Sequence, residues 1–95
     1  MNLKNRVVSI YNKKTSMRLA AEEWTALDDI CKREHLKRKQ LLEMLEDRKS
    51  PQIGRTSFVR LFAITYMHKL VKFASLKTKS YHEYDDVYQT LELIS

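Results

Sequence analysis

The feature that most constrains the fold is a short alternating stretch, residues 14–19, that changes abruptly into a helical pattern. Apolar and polar residues alternate within it, so an extended strand would have one mostly apolar face and one polar face. The apolar face carries Thr15, Met17 and Leu19, and the polar face carries Lys14, Ser16 and Arg18. From Trp24 onward, apolar residues recur at a helical spacing of about 3.6. The sequence therefore predicts one short strand followed directly by a helix.

This strand needs a hydrogen-bonding partner, because its backbone N–H and C=O groups are not satisfied within a single strand. No strand of similar quality follows it in the chain. The same strand of a second copy, antiparallel about a twofold axis, could supply the partner. Such a ribbon would bury Met17 and Leu19 and present Lys14, Ser16 and Arg18 twice. A two-stranded ribbon fits the major groove of DNA, and these side-chain types bond phosphates and base edges.

Two motifs give the chain a resemblance to a known family. Arg18-Leu19 leads into Glu22-Glu23-Trp24-x-x-Leu27-x-x-Ile30, and Thr56-Ser57-Phe58-Val59-Arg60-Leu61-Phe62 follows later. In order and spacing, these residues resemble the ribbon-helix-helix DNA-binding proteins. More narrowly, they resemble a bacterial branch with a second helical segment between the first and last helices. Family members often carry proline after the last strand residue, where this chain has Ala20. The resemblance implies a mainly α fold with one short strand, built as an intertwined homodimer with a two-stranded antiparallel intermolecular β-ribbon.

The chain divides into three parts in this interpretation. Residues 1–12 form an N-terminal arm, residues 13–74 the ribbon-helix-helix domain, and residues 75–95 a linker with a C-terminal amphipathic helical tail. The arm contains residues that favour strand, so it could fold back as a hairpin through Asn12-Lys13, flank the ribbon or stay disordered. Helices are predicted at about 21–34, 37–47 and 56–74, the third with Thr56 as its N-cap.

Charge and composition favour a polyanionic partner. The net charge is +6, and residues 1–19 contain five lysines and arginines and no acidic residue. A lysine-rich surface that only aids solubility is the alternative. No run of about 18 apolar residues is present, so we expect no transmembrane helix and no membrane partner. The N-terminal segment lacks the features of a signal peptide, and one cysteine allows no intrachain disulfide. These features indicate a cytoplasmic protein.

Neither a catalytic site nor a metal site is predicted. Cys31 and His35 lie four residues apart on a helix, but two ligands do not make a zinc site, and Cys31 falls on the apolar stripe. The carboxylates Glu43, Glu46 and Asp47 are interpreted as a solvated helix face. A chain with one glycine offers no phosphate-binding glycine loop. We therefore predict no enzymatic activity and no cofactor.

The candidate site residues form three sets. By resemblance, the base-reading positions are Lys14, Ser16 and Arg18. The phosphate-binding set lies at the start of the last domain helix, where free N–H groups and the helix dipole attract anions; it comprises Arg55, Thr56 and Ser57, together with Lys13 and Arg6. A competing basic cluster is Lys37-Arg38-Lys39. The predicted dimer core comprises Met17, Leu19, Trp24, Leu27, Phe58 and Phe62.

These features predict a homodimeric, sequence-specific DNA-binding transcriptional regulator of bacterial or phage origin, and more narrowly a repressor. Its partners would be double-stranded DNA and a second copy of itself, with higher-order assembly on DNA left open. Two alternatives also stay open. An antitoxin would use the same DNA-binding end and would hold its toxin with residues 81–95. A dimeric protein-interaction adaptor would keep the dimer without binding DNA.

Overall fold

The computed structural model describes residues 2–73 and 85–94, which form a β-hairpin followed by four helices. The linker predicted at 75–80 and the beginning of the predicted tail lie outside the described residues. The elements are β1 (Leu3–Ile10), β2 (Lys13–Ala20), α1 (Ala21–Glu34), α2 (Arg38–Arg48), α3 (Arg55–Phe73) and α4 (Asp85–Ile94). None of the helices in these ranges is long and apolar enough to cross a membrane.

The strand β2 lies where the alternation predicted it, but its partner belongs to the same chain. Strands β1 and β2 pair antiparallel, with Ile10 opposite Lys13 at the turn and Leu3 opposite Ala20 at the open end. The prediction of one strand was therefore wrong, because the chain contains two strands that pair with each other. The β-branched residues Val7, Val8 and Ile10 make the preceding segment a suitable strand, so β2 does not need a second copy for its hydrogen bonds.

The hairpin turn is formed by Tyr11 and Asn12, one residue earlier than the predicted Asn12-Lys13. Both residues have positive φ, 50° and 64°, as a two-residue type I′ turn requires. Asparagine tolerates this conformation, whereas for tyrosine it is costly. Helix α2 stabilises the turn, because the Tyr11 N–H donates to Glu43 Oε2 at 2.8 Å and the Tyr11 hydroxyl donates to Asp47 Oδ1 at 2.5 Å. The bond to Asp47 raises the pKa of Tyr11 to about 12.

One face of the hairpin packs on the helices and forms the hydrophobic core. Helices α1 and α3 contact β2, and α2 contacts β1. All six residues predicted for a dimer core are at most 2% exposed within the single chain: Met17, Leu19, Trp24, Leu27, Phe58 and Phe62. These side chains are therefore buried without a second copy, and the core positions follow the predicted periodicities of strand and helix.

Helix α3 begins one residue before its predicted N-cap. The Phe58 N–H donates to the Gly54 carbonyl at 2.9 Å, so Thr56 lies inside the first turn and does not cap the helix. The Thr56 N-cap prediction was therefore wrong. The helix leaves the backbone N–H groups of residues 55–57 without intrahelical acceptors, as every α-helix does in its first turn.

The C-terminal helix α4 packs against α3. Its side chains Val87 and Leu91 are buried, whereas Tyr88 and Leu93 are exposed. A polar contact joins α4 to α1, because Arg33 Nη1 lies 2.7 Å from Asp86 Oδ2. The same nitrogen lies 3.0 Å from Oε2 of Glu34, whose side chain is fully buried. Arg33 therefore compensates carboxylates on two different helices.

Tyr66 of α3 completes this cluster. Its hydroxyl donates to Glu34 Oε2 and accepts from Arg33 Nη1 at 2.7 Å. Burial, and then the hydrogen bond to Glu34, raise the pKa of Tyr66 above its ordinary value. The polar cluster Arg33–Glu34–Tyr66–Asp86 thus links α1, α3 and α4 in an otherwise apolar region, and tethers the last helix to the domain.

Candidate nucleic-acid interface

The hairpin turns one face away from the core, and we call this its outer face. On β2, Lys14, Ser16 and Arg18 are all exposed, as the alternation predicted, while Met17 and Leu19 between and beside them are buried. Side chains of directly opposed residues lie on the same face of an antiparallel pair. The outer face therefore also carries the β1 residues that oppose them: Ser9 opposite Lys14, Val7 opposite Ser16 and Asn5 opposite Arg18.

The electrostatic character of the hairpin is cationic. Its two strands contain five lysines and arginines and no acidic residue. The acidic residues Glu43, Glu46 and Asp47, which contact the turn region and the start of α3, lie on α2 behind it. A polyanion approaching the outer face therefore meets basic and neutral groups, among them the apolar Val7, without like-charge repulsion from the strands.

Arg6 lies on the opposite side of the hairpin from the outer face. Its guanidinium stacks over the Trp24 ring, 4.9 Å from the centroid, and Arg38 stacks over the same ring at 5.3 Å. The indole Nε1–H donates to the Lys4 carbonyl at 2.9 Å. Trp24 therefore contacts β1 from the core side of the hairpin. Arg6 has this structural contact in addition to the phosphate-binding role predicted for it.

At the start of α3, the structure brings Arg55 beside β2. Arg55 donates Nε–H to Glu46 Oε1 at 2.9 Å and Nη2–H to Glu46 Oε2 at 3.2 Å, and its Nη1 lies 3.5 Å from Thr15 Oγ1. This bidentate pair lowers the pKa of Glu46 below its ordinary value of 4.5. The pKa of Glu46 is lower in the folded state than in the unfolded state. The pair therefore stabilises the fold fully above the unfolded-state pKa, and this contribution is lost as the pH falls through the lowered folded-state pKa.

The predicted phosphate-binding residues are thus only partly brought together. A groove of about 370 Å³ lies between the hairpin turn and α3, and Lys13, Lys14, Tyr11 and Arg55 are among its lining residues. Ser57 is exposed and Thr56 is half-buried. Lys13 is exposed, and no ion pair to it occurs among residues 2–73 and 85–94. Lys13 is therefore more available for phosphate binding than Arg55, whose guanidinium is paired with Glu46.

Sequence reasoning missed the role of the α2 carboxylates. The sequence predicts a solvated face for Glu43, Glu46 and Asp47, but each of them contacts the hairpin turn or the start of α3. Their spacing at i, i+3 and i+4 places them on one side of the helix, which is the available signal for a shared contact surface. The partners could not be identified from the sequence because they lie between 9 and 36 residues away.

No metal centre emerges from the described part of the chain, since no three side chains of the His, Cys, Asp and Glu types cluster there. Cys31 lies in the core at 6% exposure, as predicted from its place on the apolar stripe. Burial, and then the nearby Asp28 carboxylate, raise the pKa of its thiol to about 11. This environment is the reverse of that of a reactive or metal-binding thiolate.

The Cys31 thiol should consequently resist alkylation in the folded protein. With a pKa of about 11, the thiolate fraction at pH 8 is on the order of 100-fold below that of a free cysteine. We expect iodoacetamide at pH 8 to modify the native protein at least that much more slowly than the protein in urea, as followed by mass spectrometry. Equal rates in the two conditions would contradict the burial of this side chain.

Comparison with known protein families identifies the family of this chain. The model of the ribbon-helix-helix domain family matches residues 3–67, which include both strands, α1, α2 and most of α3. The chain therefore belongs to the ribbon-helix-helix domain family, whose members are DNA-binding regulators that form dimers. Searches of curated proteins and of solved structures each found no significant match.

Proposed function

We propose that this protein is a sequence-specific transcriptional repressor that inserts its hairpin into the major groove of double-stranded DNA. The observation that carries the proposal is the outer face of β2, where Lys14, Ser16 and Arg18 are exposed in alternation with buried core residues. Arginine and lysine bond guanine O6 and N7, and serine can donate to or accept from several bases. Lys13 and the first turn of α3, with Arg55, Thr56 and Ser57, would bind the flanking phosphates.

The width of the ribbon argues that each hairpin enters the groove alone. An intermolecular ribbon could form along the edge of β2 that faces away from β1, but it would extend the hairpin to four strands. At about 4.8 Å per strand gap, the backbone alone would then span about 14 Å, more than the roughly 12 Å width of the major groove. The two-stranded hairpin fits, so the second copy in a dimer would occupy a neighbouring half-site.

Helix α3 offers a surface for that second copy. Its side chains Leu61, Ile64 and Val71 are 38%, 69% and 76% exposed and lie on one side of the helix. A chain of a dimer-forming family that leaves such an apolar side in water has a physical reason to associate through it. Light scattering at equal concentration measures the molecular mass of wild type and of Ile64→Asp. We expect a dimer for wild type and a monomer for Ile64→Asp, because the aspartate would bury a charge in the proposed contact.

The experiment that tests the function is selection of bound duplexes from a random pool, followed by sequencing. We expect enrichment of one motif repeated at a fixed half-site spacing. Enrichment of no motif, with binding that depends on salt alone, would count against base readout. A reporter under the control of the enriched site then distinguishes repression from activation.

Removing the Arg18 side chain should weaken specific binding most among the β2 variants. Arg18→Ala is expected to cost about 1–3 kcal/mol of binding free energy for the enriched site and to relax the preference at one base pair. Arg18→Lys keeps the charge but loses the planar fork, so it should recover non-specific but not specific affinity. Lys32→Ala on α1 is the charge-matched control. Equal losses on specific and random duplexes would show that Arg18 binds phosphate only.

The phosphate contacts should appear in the salt dependence of binding. Lys13→Ala is expected to weaken binding to all sequences alike and to reduce the slope of log K against log salt by about 0.9. Arg55→Ala should act in the same direction but less, because Glu46 already neutralises part of its charge. Lys72→Ala, at the far end of α3, is the control. An unchanged slope in Lys13→Ala would remove this residue from the phosphate-binding set.

The exposed side chains of α4 favour one second candidate, an antitoxin that holds a toxin through its C-terminal tail. Tyr88 and Leu93 remain exposed on α4, 45% and 67%, although Val87 and Leu91 are already packed. A double variant, Tyr88→Ser with Leu93→Ser, should then lose the toxin while retaining DNA binding. A protein-interaction adaptor, by contrast, would bind no duplex at any salt concentration.

A further inference from the structure

The pairing of β1 with β2 in one chain places a second row of side chains on the outer face. Asn5, Val7 and Ser9 stand directly opposite Arg18, Ser16 and Lys14, and these pairs form three cross-strand rows of two side chains, next to the Leu3–Ala20 pair at the open end of the hairpin. Asn5 is exposed, Val7 is 66% exposed, and Ser9 is half-buried. The sequence pattern does not single out these three β1 residues, because it leaves the partner of β2 open.

The dimensions of the hairpin bring both strands within reach of the bases. Neighbouring strands lie about 4.8 Å apart, well inside a groove roughly 12 Å wide. Alternate residues along a strand are about 6.7 Å apart, which is close to twice the 3.4 Å rise of one base pair. The three rows therefore span about 13 Å, the length of about four base pairs. A hairpin that brings β2 to the base edges necessarily brings β1 there as well.

We infer that β1 reads bases beside β2, with Asn5 hydrogen-bonding an adenine and Val7 contacting the methyl group of a thymine within the same short site. This inference rests on the proposed DNA-binding function and extends it to the specificity of the site. It also means that one chain, with its single hairpin, contains a complete reading element for about four base pairs.

The chemistry of each side chain selects its base. The Asn5 amide has a donor and an acceptor side by side, which match N7 and N6 of adenine as the guanidinium of Arg18 matches guanine. Val7 offers only apolar surface, and its nearest neighbours on the outer face are the polar Asn5, Ser9 and Ser16. The thymine methyl is the apolar group that the major groove presents, so it is the contact that would remove Val7 from water.

Base analogues in the enriched duplex test these two contacts one atom group at a time. Deoxyuridine replaces each thymine in turn and removes its methyl group, and 7-deazaadenine replaces each adenine and removes its N7 acceptor. For wild type, we expect one thymine whose replacement weakens binding about 4-fold, as for one buried methyl group. We expect one adenine whose replacement weakens binding roughly 5-fold or more.

The variants connect each base to its side chain. Val7→Ala should become insensitive to the critical deoxyuridine, and Asn5→Ala to the critical 7-deazaadenine, while Thr25→Ala on α1 should behave as wild type. Circular dichroism should show all three folded, since the replaced side chains are exposed. If wild type tolerates every analogue, or if the variants remain as sensitive as wild type, β1 does not read bases, although the enriched motif still supports the proposed function. If the selection enriches no motif, the proposed function itself fails.

Discussion

Replacing Trp24 with alanine is expected to lower the free energy of unfolding by about 3–5 kcal/mol, as for other buried aromatic side chains. Trp24 is 1% exposed, and its indole also donates to the Lys4 carbonyl of β1. The change therefore leaves a cavity under the hairpin and removes a direct support of the first strand. Urea unfolding followed by far-UV circular dichroism measures the effect, since the variant lacks the only tryptophan.

The matched control is Trp24→Phe, which retains most of the apolar volume but cannot donate the hydrogen bond to Lys4. We expect it to lose roughly 1–2 kcal/mol, the cost of one hydrogen bond and partial volume loss. The free energy of unfolding of a domain of this size is about 5–15 kcal/mol, so Trp24→Ala should remove a large part of it. An alanine variant as stable as wild type would mean that the hairpin does not pack on α1 as described.

Replacing Arg33 with alanine is expected to destabilise the protein by about 3 kcal/mol, the lower end of the cost of leaving a buried charge uncompensated. Arg33 retains 31% side-chain exposure, but the Glu34 side chain that it compensates is fully buried and that of Asp86 is 10% exposed. The loss should loosen α4 first, because the contact with Asp86 joins this helix to α1. Hydrogen exchange measured by mass spectrometry should show faster exchange across residues 85–94.

Arg60→Ala is the matched control for this prediction. Arg60 pairs with Glu23 at 3.0 Å, but both side chains keep 31–40% exposure, so its loss should cost below about 1 kcal/mol. Adding Glu34→Gln to Arg33→Ala removes the uncompensated charge and should recover part of the stability. A cost for Arg33→Ala no larger than for Arg60→Ala would show that the polar cluster contributes little to the fold.

The periodicities of the sequence predicted most elements of this fold. The helix predicted at 21–34 has those limits in α1, and α2 and α3 begin and end within one residue of their predictions. The outward direction of Lys14, Ser16 and Arg18 was also predicted correctly. These features depend on local alternation and helical spacing, which each segment carries in its own residues.

The contacts that assemble the candidate interface could not be predicted in the same way. The turn at Tyr11 depends on Glu43 and Asp47, and Arg55 is held by Glu46 beside Thr15. Each of these side chains would have suited several partners of opposite charge or hydrogen-bonding type. Their selection depends on the packing of α2 and α3 behind the hairpin, which no local pattern specifies.

The sequence by itself determined that residues 14–19 form a strand with one polar face, that helices follow, and that the chain resembles the ribbon-helix-helix family. The reason is that the alternation of a strand and the spacing of about 3.6 residues in a helix depend only on residues close together in the sequence. Only the tertiary structure decided that β1 of the same chain pairs with β2 and adds Asn5, Val7 and Ser9 to the outer face. Strand pairing is decided by competition between possible partners, and here the nearest segment, closed by a turn that α2 stabilises, is the partner.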